Sequence, residues 1–109
     1  MIGAKMDAKV LYQYLRNLVN RFFKILPIRE SGEESLVEYM RSLQLELIGC
    51  SELVIVIHWD PDYVTLLSIL QYLIDNPDAP VPVYKREVFK AITICNKLKA
   101  RYAALTKEG

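Results

Sequence analysis

The stretch Cys50–Asn76, with the sequence CSELVIVIHWDPDYVTLLSILQYLIDN, decides the fold of this chain. It contains the continuous aliphatic run Leu53–Ile57, the single histidine and the single tryptophan. Taken alone, the β-branched run also fits a buried strand. A strand here would need a partner chain, because the sequence offers no second strand to pair its backbone groups. Whether residues 53–57 are helix or an intermolecular strand therefore stays open at the level of local pattern.

The residues before and within this run favour a helix. Apolar side chains recur at alternating spacings of four and three, which places them on one helical face. This seam consists of Leu36, Met40, Leu43, Leu47, Cys50, Val54 and Ile57. The pattern predicts one long second helix over residues 34–58, since a glycine inside a helix costs only about 1 kcal/mol. A break near Gly49 is the alternative, because Gly can end a helix and Ser51 can cap a new one.

The turn at Trp59–Asp62 predicts the start of a third helix over residues 61–75. Asp60 is suited to accept from the free N–H groups of the helix, and Pro61 fits the first helical position. The helix is apolar around most of its circumference, so it is central in the protomer or part of an interface. We expect a homodimer with contacts from this region. The predicted interface residues are Trp59, Tyr63, Leu66, Ile69 and Tyr72.

Two further helices complete the predicted fold. The first covers about residues 7–26, with a loop from Pro27, and the fourth covers about 83–105. Residues 1–6 are interpreted as a leader or as expression-derived residues. Short turns and one apolar seam per helix are typical of a single-domain antiparallel four-helix bundle, an all-α fold.

Composition narrows the class of protein. The chain has 109 residues, a mean hydropathy of +0.13, 25% charged residues and a net charge of +1. These values fit one folded domain and argue against disorder. No apolar run approaches the roughly 20 residues of a membrane span, and no signal peptide is visible. Cys50 and Cys95 lie at seam positions, so we expect reduced core thiols and a cytoplasmic location.

Charge is distributed unevenly along the chain. Residues 1–27 and 82–109 carry net charges of +4 and +5, whereas 28–60 and 61–81 carry −5 and −3. Attraction between unlike helices explains this pattern, and a basic face for a polyanion such as nucleic acid is the sharper interpretation. The candidate polyanion-binding residues on the first and fourth helices are Arg16, Arg21, Lys24, Arg86, Lys90, Lys97 and Arg101.

No motif predicts catalysis, a metal site or a cofactor. His58 beside Asp60 is one possible base, but neither a serine nor a cysteine is placed as its nucleophile. One histidine and two seam cysteines do not make a zinc pattern. The His is better explained at a helix end, where its charge suits the negative C-terminus. We therefore expect a non-enzymatic protein without cofactor.

The sequence identifies no named family. The segments LYQYLRNLVNRFF (11–23) and KREVFKAITICNKLKARY (85–102) resemble small helical proteins of bacterial mobile elements, which implies a mobile-element origin. The favoured function is a protein–protein interaction module. The alternative is a small nucleic-acid-binding or regulatory protein that uses the basic face. Neither partner nor pathway follows from the sequence.

Overall fold

The computed structural model describes residues 8–32, 34–53 and 55–108, and the side chains of 10–32, 34–52 and 57–102. No strand occurs among these residues, which confirms the all-α prediction. The predicted leader, residues 1–6, lies outside them. The helical segments are α1 (Ala8–Phe23), α2 (Ile25–Ser31), α3 (Leu36–Leu53), α4 (Ile55–His58), α5 (Pro61–Asp75) and α6 (Val81–Glu108).

The long segments form an antiparallel four-helix bundle with extents of 44 × 22 × 19 Å. α1 packs most extensively along α6, and α5 packs against both α3 and α6. Hydrogen bonds cross from α3 to α5 where Tyr63 Oη donates to the Leu47 carbonyl (2.7 Å) and Gln44 Nε2 donates to Gln71 Oε1 (2.8 Å). Tyr39 of α3 donates in the same way to the Arg21 carbonyl of α1 (2.8 Å). Consecutive long helices are therefore neighbours around the bundle.

The predicted seams form the core. On α1 and α6 the apolar residues that recur at spacings of three and four are buried, among them Leu15, Leu18 and Phe22 of α1 and Val88 and Leu98 of α6. The seam of α3 is buried from Leu36 to Cys50 and continues at Ile57. Its member Val54 lies outside the described residues. Spacing in the sequence thus identified the buried faces of α1, α3 and α6.

The helix over 61–75 begins and ends as predicted. The Asp62 N–H donates to Asp60 Oδ1 at 2.9 Å, and Pro61 occupies the first turn, where no N–H partner is needed. α6 begins at Val81, two residues before the prediction, and Pro82 is tolerated in its first turn for the same reason.

The predicted end of the first helix is wrong. A turn at Lys24 separates α1 from α2, and the helical path then continues through Pro27 to Ser31, where a loop was expected. Pro27 lies in the first turn of α2, so its missing N–H leaves no bond unmade. Gly32, with φ of +72°, ends α2 in the left-handed conformation that glycine adopts without strain.

The alternative break at Gly49 does not occur. Gly49 lies inside α3, and its φ is not positive. Leu53 and Ile55–Ile57 are helical, so these residues form no strand in the structure. Residue 54 is outside the described part of the chain. Among the described helices, none is long and apolar enough to cross a membrane.

Candidate protein-binding surface

Three of the five predicted interface residues belong to the core instead. Tyr63, Leu66 and Ile69 are buried inside the protomer, so they are not available to a partner in this conformation. α5 packs between α3 and α6, and these neighbours cover more of its apolar surface than the sequence suggested. The other two residues, Trp59 and Tyr72, are exposed, with 75% of the surface of Trp59 accessible.

A different set of apolar side chains is exposed along α3 and α5. Leu45 is 67% exposed and Val64 is 50% exposed, while Ile48 is exposed and Leu67 is half-buried. We call these four residues the α3/α5 face. The sequence does indicate that Leu45 and Ile48 are exposed, since both are apolar residues that fall outside the heptad seam of α3.

The bond between Gln44 and Gln71 shows that these residues share one side of the bundle. Ile48 follows Gln44 by four residues, and Leu67 precedes Gln71 by four, so each lies one turn from the bond on the same helix face. Val64 lies a further turn along α5. The residues of the α3/α5 face therefore form an apolar strip on one side of the bundle, across two antiparallel helices.

Polar residues close both ends of this strip on α3. Arg41 precedes Leu45 by four residues, and Glu52 follows Ile48 by four, so both lie on the same stripe. Both are exposed, and no described carboxylate or cation forms an ion pair with either. An apolar centre with a polar rim is the usual anatomy of a protein interface.

The predicted polyanion-binding residues do not form one face. Arg101 bonds to Asp60 and Asp62, so its side of α6 is turned toward α5. Lys97 precedes Arg101 by one turn and shares that side. Arg21, in contrast, pairs with Glu46 of α3, on another side of the bundle. These cations are separated because the two acidic helices, α3 and α5, contact opposite flanks of the α1–α6 pair.

Carboxylates also neutralise most of these cations. Arg86 and Lys90 both contact Glu87, at 2.9 and 3.3 Å. Together with Arg21 and Arg101, four of the seven predicted residues are in ion pairs. The other three, Arg16, Lys24 and Lys97, are exposed, and no ion pair joins them to a described residue.

The Asp60 carboxylate is the centre of a connected polar cluster among the described residues. Its Oδ2 accepts from Arg101 Nη1 at 2.5 Å and from Tyr102 Oη at 2.8 Å, while Oδ1 caps α5. Burial by itself raises the pKa of Asp60, but the bonds from Arg101, Tyr102 and the Asp62 N–H outweigh it and hold the pKa below its ordinary value. This cluster fastens α6 to the start of α5, which is a structural task.

A second exposed surface combines aromatic and basic residues. Phe23 of α1 and Phe89 of α6 make an edge contact with ring centroids 5.9 Å apart, and both are substantially exposed. Arg16 lies two turns before Phe23, and Lys85 one turn before Phe89, on the same outer sides. We call these four residues the aromatic–basic face. Both phenylalanines fall beside the apolar seams of their helices, so the sequence pattern does not distinguish them from core residues.

The thiols and the histidine form no catalytic arrangement in the described structure. Burial raises the pKa of Cys95 to about 12, and burial likewise raises the pKa of Cys50. Both are therefore poor nucleophiles near neutral pH. The ring of His58 makes an edge contact with the ring of Trp59, with centroids 4.7 Å apart, at the exposed end of α4. No group of three His, Cys, Asp or Glu side chains among the described residues is arranged to hold a metal ion.

Comparisons with known proteins add no assignment. The chain matches no protein-family model, and neither a curated protein nor a solved structure is significantly similar to it.

Proposed function

We propose that this protein is a non-enzymatic helical module that binds a protein partner through the α3/α5 face. The observation that carries the proposal is the exposure of Leu45, Ile48 and Val64 in one strip beside half-buried Leu67. Single exposed apolar residues are ordinary, whereas a contiguous strip bordered by polar residues is typical of an interaction surface.

Burial of the strip by a partner contributes part of a binding free energy. Complete burial of one large aliphatic side chain contributes about 1.5–3 kcal/mol. Scaled by their exposure, Leu45, Ile48 and Val64 together contribute about 3 kcal/mol when a partner covers them. The partner surface that fits is an apolar helix or helix pair, because the strip follows two antiparallel helices.

Site-specific crosslinking tests this proposal. A photo-reactive amino acid at Ile48 should give one discrete crosslinked protein in cells that make this chain. The same residue at Asn96, an exposed position of α6, is the matched control and should give none. Leu45→Glu in the Ile48 variant should abolish the product. Equal labelling from both positions, or none from Ile48, contradicts a binding role for this face.

The buried, unpaired cysteines fit a reducing compartment, so the cytoplasm is the proposed location. A mobile-element origin also remains a proposal, which the genes on either side of this one can test.

The aromatic–basic face favours nucleic-acid binding as a second candidate. α1 contains neither Asp nor Glu, and the described acidic side chain of α6, Glu87, is buried. Phe23 and Phe89 offer rings for base stacking, beside cations that contact phosphates. Arg16→Glu with Lys85→Glu should abolish salt-dependent retention of the protein on single-stranded DNA resin. Lys97→Glu with Arg86→Glu is the control, and equal loss from the two pairs argues against a specific face.

A further inference from the structure

The exposed stripe of α3 has two ends of opposite charge and an apolar centre. It consists of Arg41, Leu45, Ile48 and Glu52, separated by four, three and four residues. A cation stands at one end, an anion at the other, and two aliphatic residues lie between them. Reversal of the direction of the helix therefore exchanges the cation with the anion and leaves the apolar centre in place.

We propose that the partner of the α3/α5 face is a second copy of this chain, paired through antiparallel α3 helices. The two-fold axis passes α3 midway between Glu46 and Leu47. Leu45 and Ile48 lie about 2 Å on either side of this level along the helix, and Arg41 and Glu52 about 8 Å. The axis therefore sets Leu45 against the second copy's Ile48, and Arg41 against its Glu52, each twice.

α5 agrees with the same axis. The bonds from Tyr63 to Leu47 and from Gln44 to Gln71 fix the register of α5 against α3. In that register Leu67 and Val64 lie alongside the α3 segment that runs from Leu45 to Glu52, so both lie near the proposed axis. The apolar area of α5 thus lies close to the axis, as an isologous interface requires. When two copies of the face pair, the cation of Arg41 meets the anion of Glu52. An unrelated partner would not be expected to present charges at the same spacing.

The dimensions are sufficient for a modest dimer. α3 has 18 residues, so it is about 27 Å long, and two packed helices are about 20 Å wide. The projected face is therefore on the order of 500 Å², and the accessible area of a corrugated helical surface exceeds its projection. Standard interfaces bury about 800 Å² per partner, which places this one near the lower end. We expect dissociation in the micromolar range.

Charge reversal tests the pairing directly. Arg41→Glu leaves two glutamates facing each other at both ends of the homodimer, and Glu52→Arg leaves two arginines. In each variant the dissociation constant of the dimer, measured by sedimentation equilibrium, should rise at least about tenfold. An equimolar mixture of the two variants should form a heterodimer, since every pair is then complementary. Lys97→Glu, on α6, is the matched control and should dimerise as the wild type does.

The outcomes separate this inference from the proposed function on which it rests. Wild-type protein that is monomeric at about 100 µM overturns the self-association, whatever Ile48 crosslinks to. A dimer that Leu45→Glu disrupts but the charge reversals leave intact overturns the antiparallel register. If the equimolar mixture of the two charge-reversal variants forms no heterodimer, the antiparallel register is also overturned. Circular dichroism confirms that each exposed variant is folded, so failure to associate is not mistaken for unfolding.

Discussion

Replacement of Asp60 should reveal how strongly one carboxylate holds two helices together. In Asp60→Ala, α5 loses its N-cap, which contributes about 1 kcal/mol. Loss of the charge-assisted bond from Tyr102 costs about 1.5 kcal/mol more. The contact with Arg101 is worth only about 0.5 kcal/mol, because that guanidinium is 43% exposed and screened by water.

The free energy of unfolding should therefore fall by about 3 kcal/mol in Asp60→Ala. Since a loss of 1 kcal/mol lowers Tm by about 4–8 °C in a domain near this size, Tm should fall by more than about 10 °C. Urea titration followed by circular dichroism measures the free energy. A calorimetric scan measures Tm.

Two matched variants divide this loss into its parts. Asp60→Asn keeps a capping oxygen and removes the charge, so its loss should be intermediate. Asp62→Asn removes only one exposed contact to Arg101 and should cost less than about 1 kcal/mol. If Asp60→Ala proves no more harmful than Asp62→Asn, the assignment of Asp60 as the link between α5 and α6 is wrong.

The pH dependence of stability provides an independent check on Asp60. Its pKa is below the unfolded value, so the carboxylate contributes stability that is complete above the unfolded pKa, about 3.9. That contribution is lost as the pH falls through the lower, folded pKa. As the pH decreases below about 4, the free energy of unfolding of Asp60→Asn should therefore fall less steeply than that of the wild type. Parallel acid curves for the two proteins contradict the lowered pKa.

The remaining predictions concern the core and the surface. Gly49→Ala should raise the free energy of unfolding by about 0.4–1 kcal/mol, because nothing lies within 4 Å of an added Cβ and the backbone is helical; a clear loss in the denaturation curve argues against this. Cys50 and Cys95 should react slowly with a thiol reagent in the native state and quickly in urea, since burial raises both pKa values; rapid native labelling contradicts their place in the core. Leu66→Glu should unfold the protein, whereas Val64→Glu should leave it folded, as monitored by circular dichroism.

Interaction hypotheses from the sequence depended on which side of α5 its neighbours cover. Tyr63 and Val64 are adjacent and both suit an interface by residue type, yet Tyr63 is buried and Val64 is 50% exposed. A helix that is apolar around most of its circumference carries no internal marker of its inward side. The positions of α3 and α6 supply that marker, and they follow from the packing of the whole bundle.

Helix periodicity and capping chemistry are local, and the sequence by itself determined both. The seam from Leu36 to Cys50 predicted the buried face of α3, and Asp60 with Pro61 predicted the start of α5. Pairing between helices is not local, and only the tertiary structure decided it. Arg101 was a candidate for a polyanion until its neighbours in space proved to be Asp60 and Asp62, some forty residues earlier in the chain. Charge and exposure depend on what lies opposite a side chain, and helix spacing does not encode that.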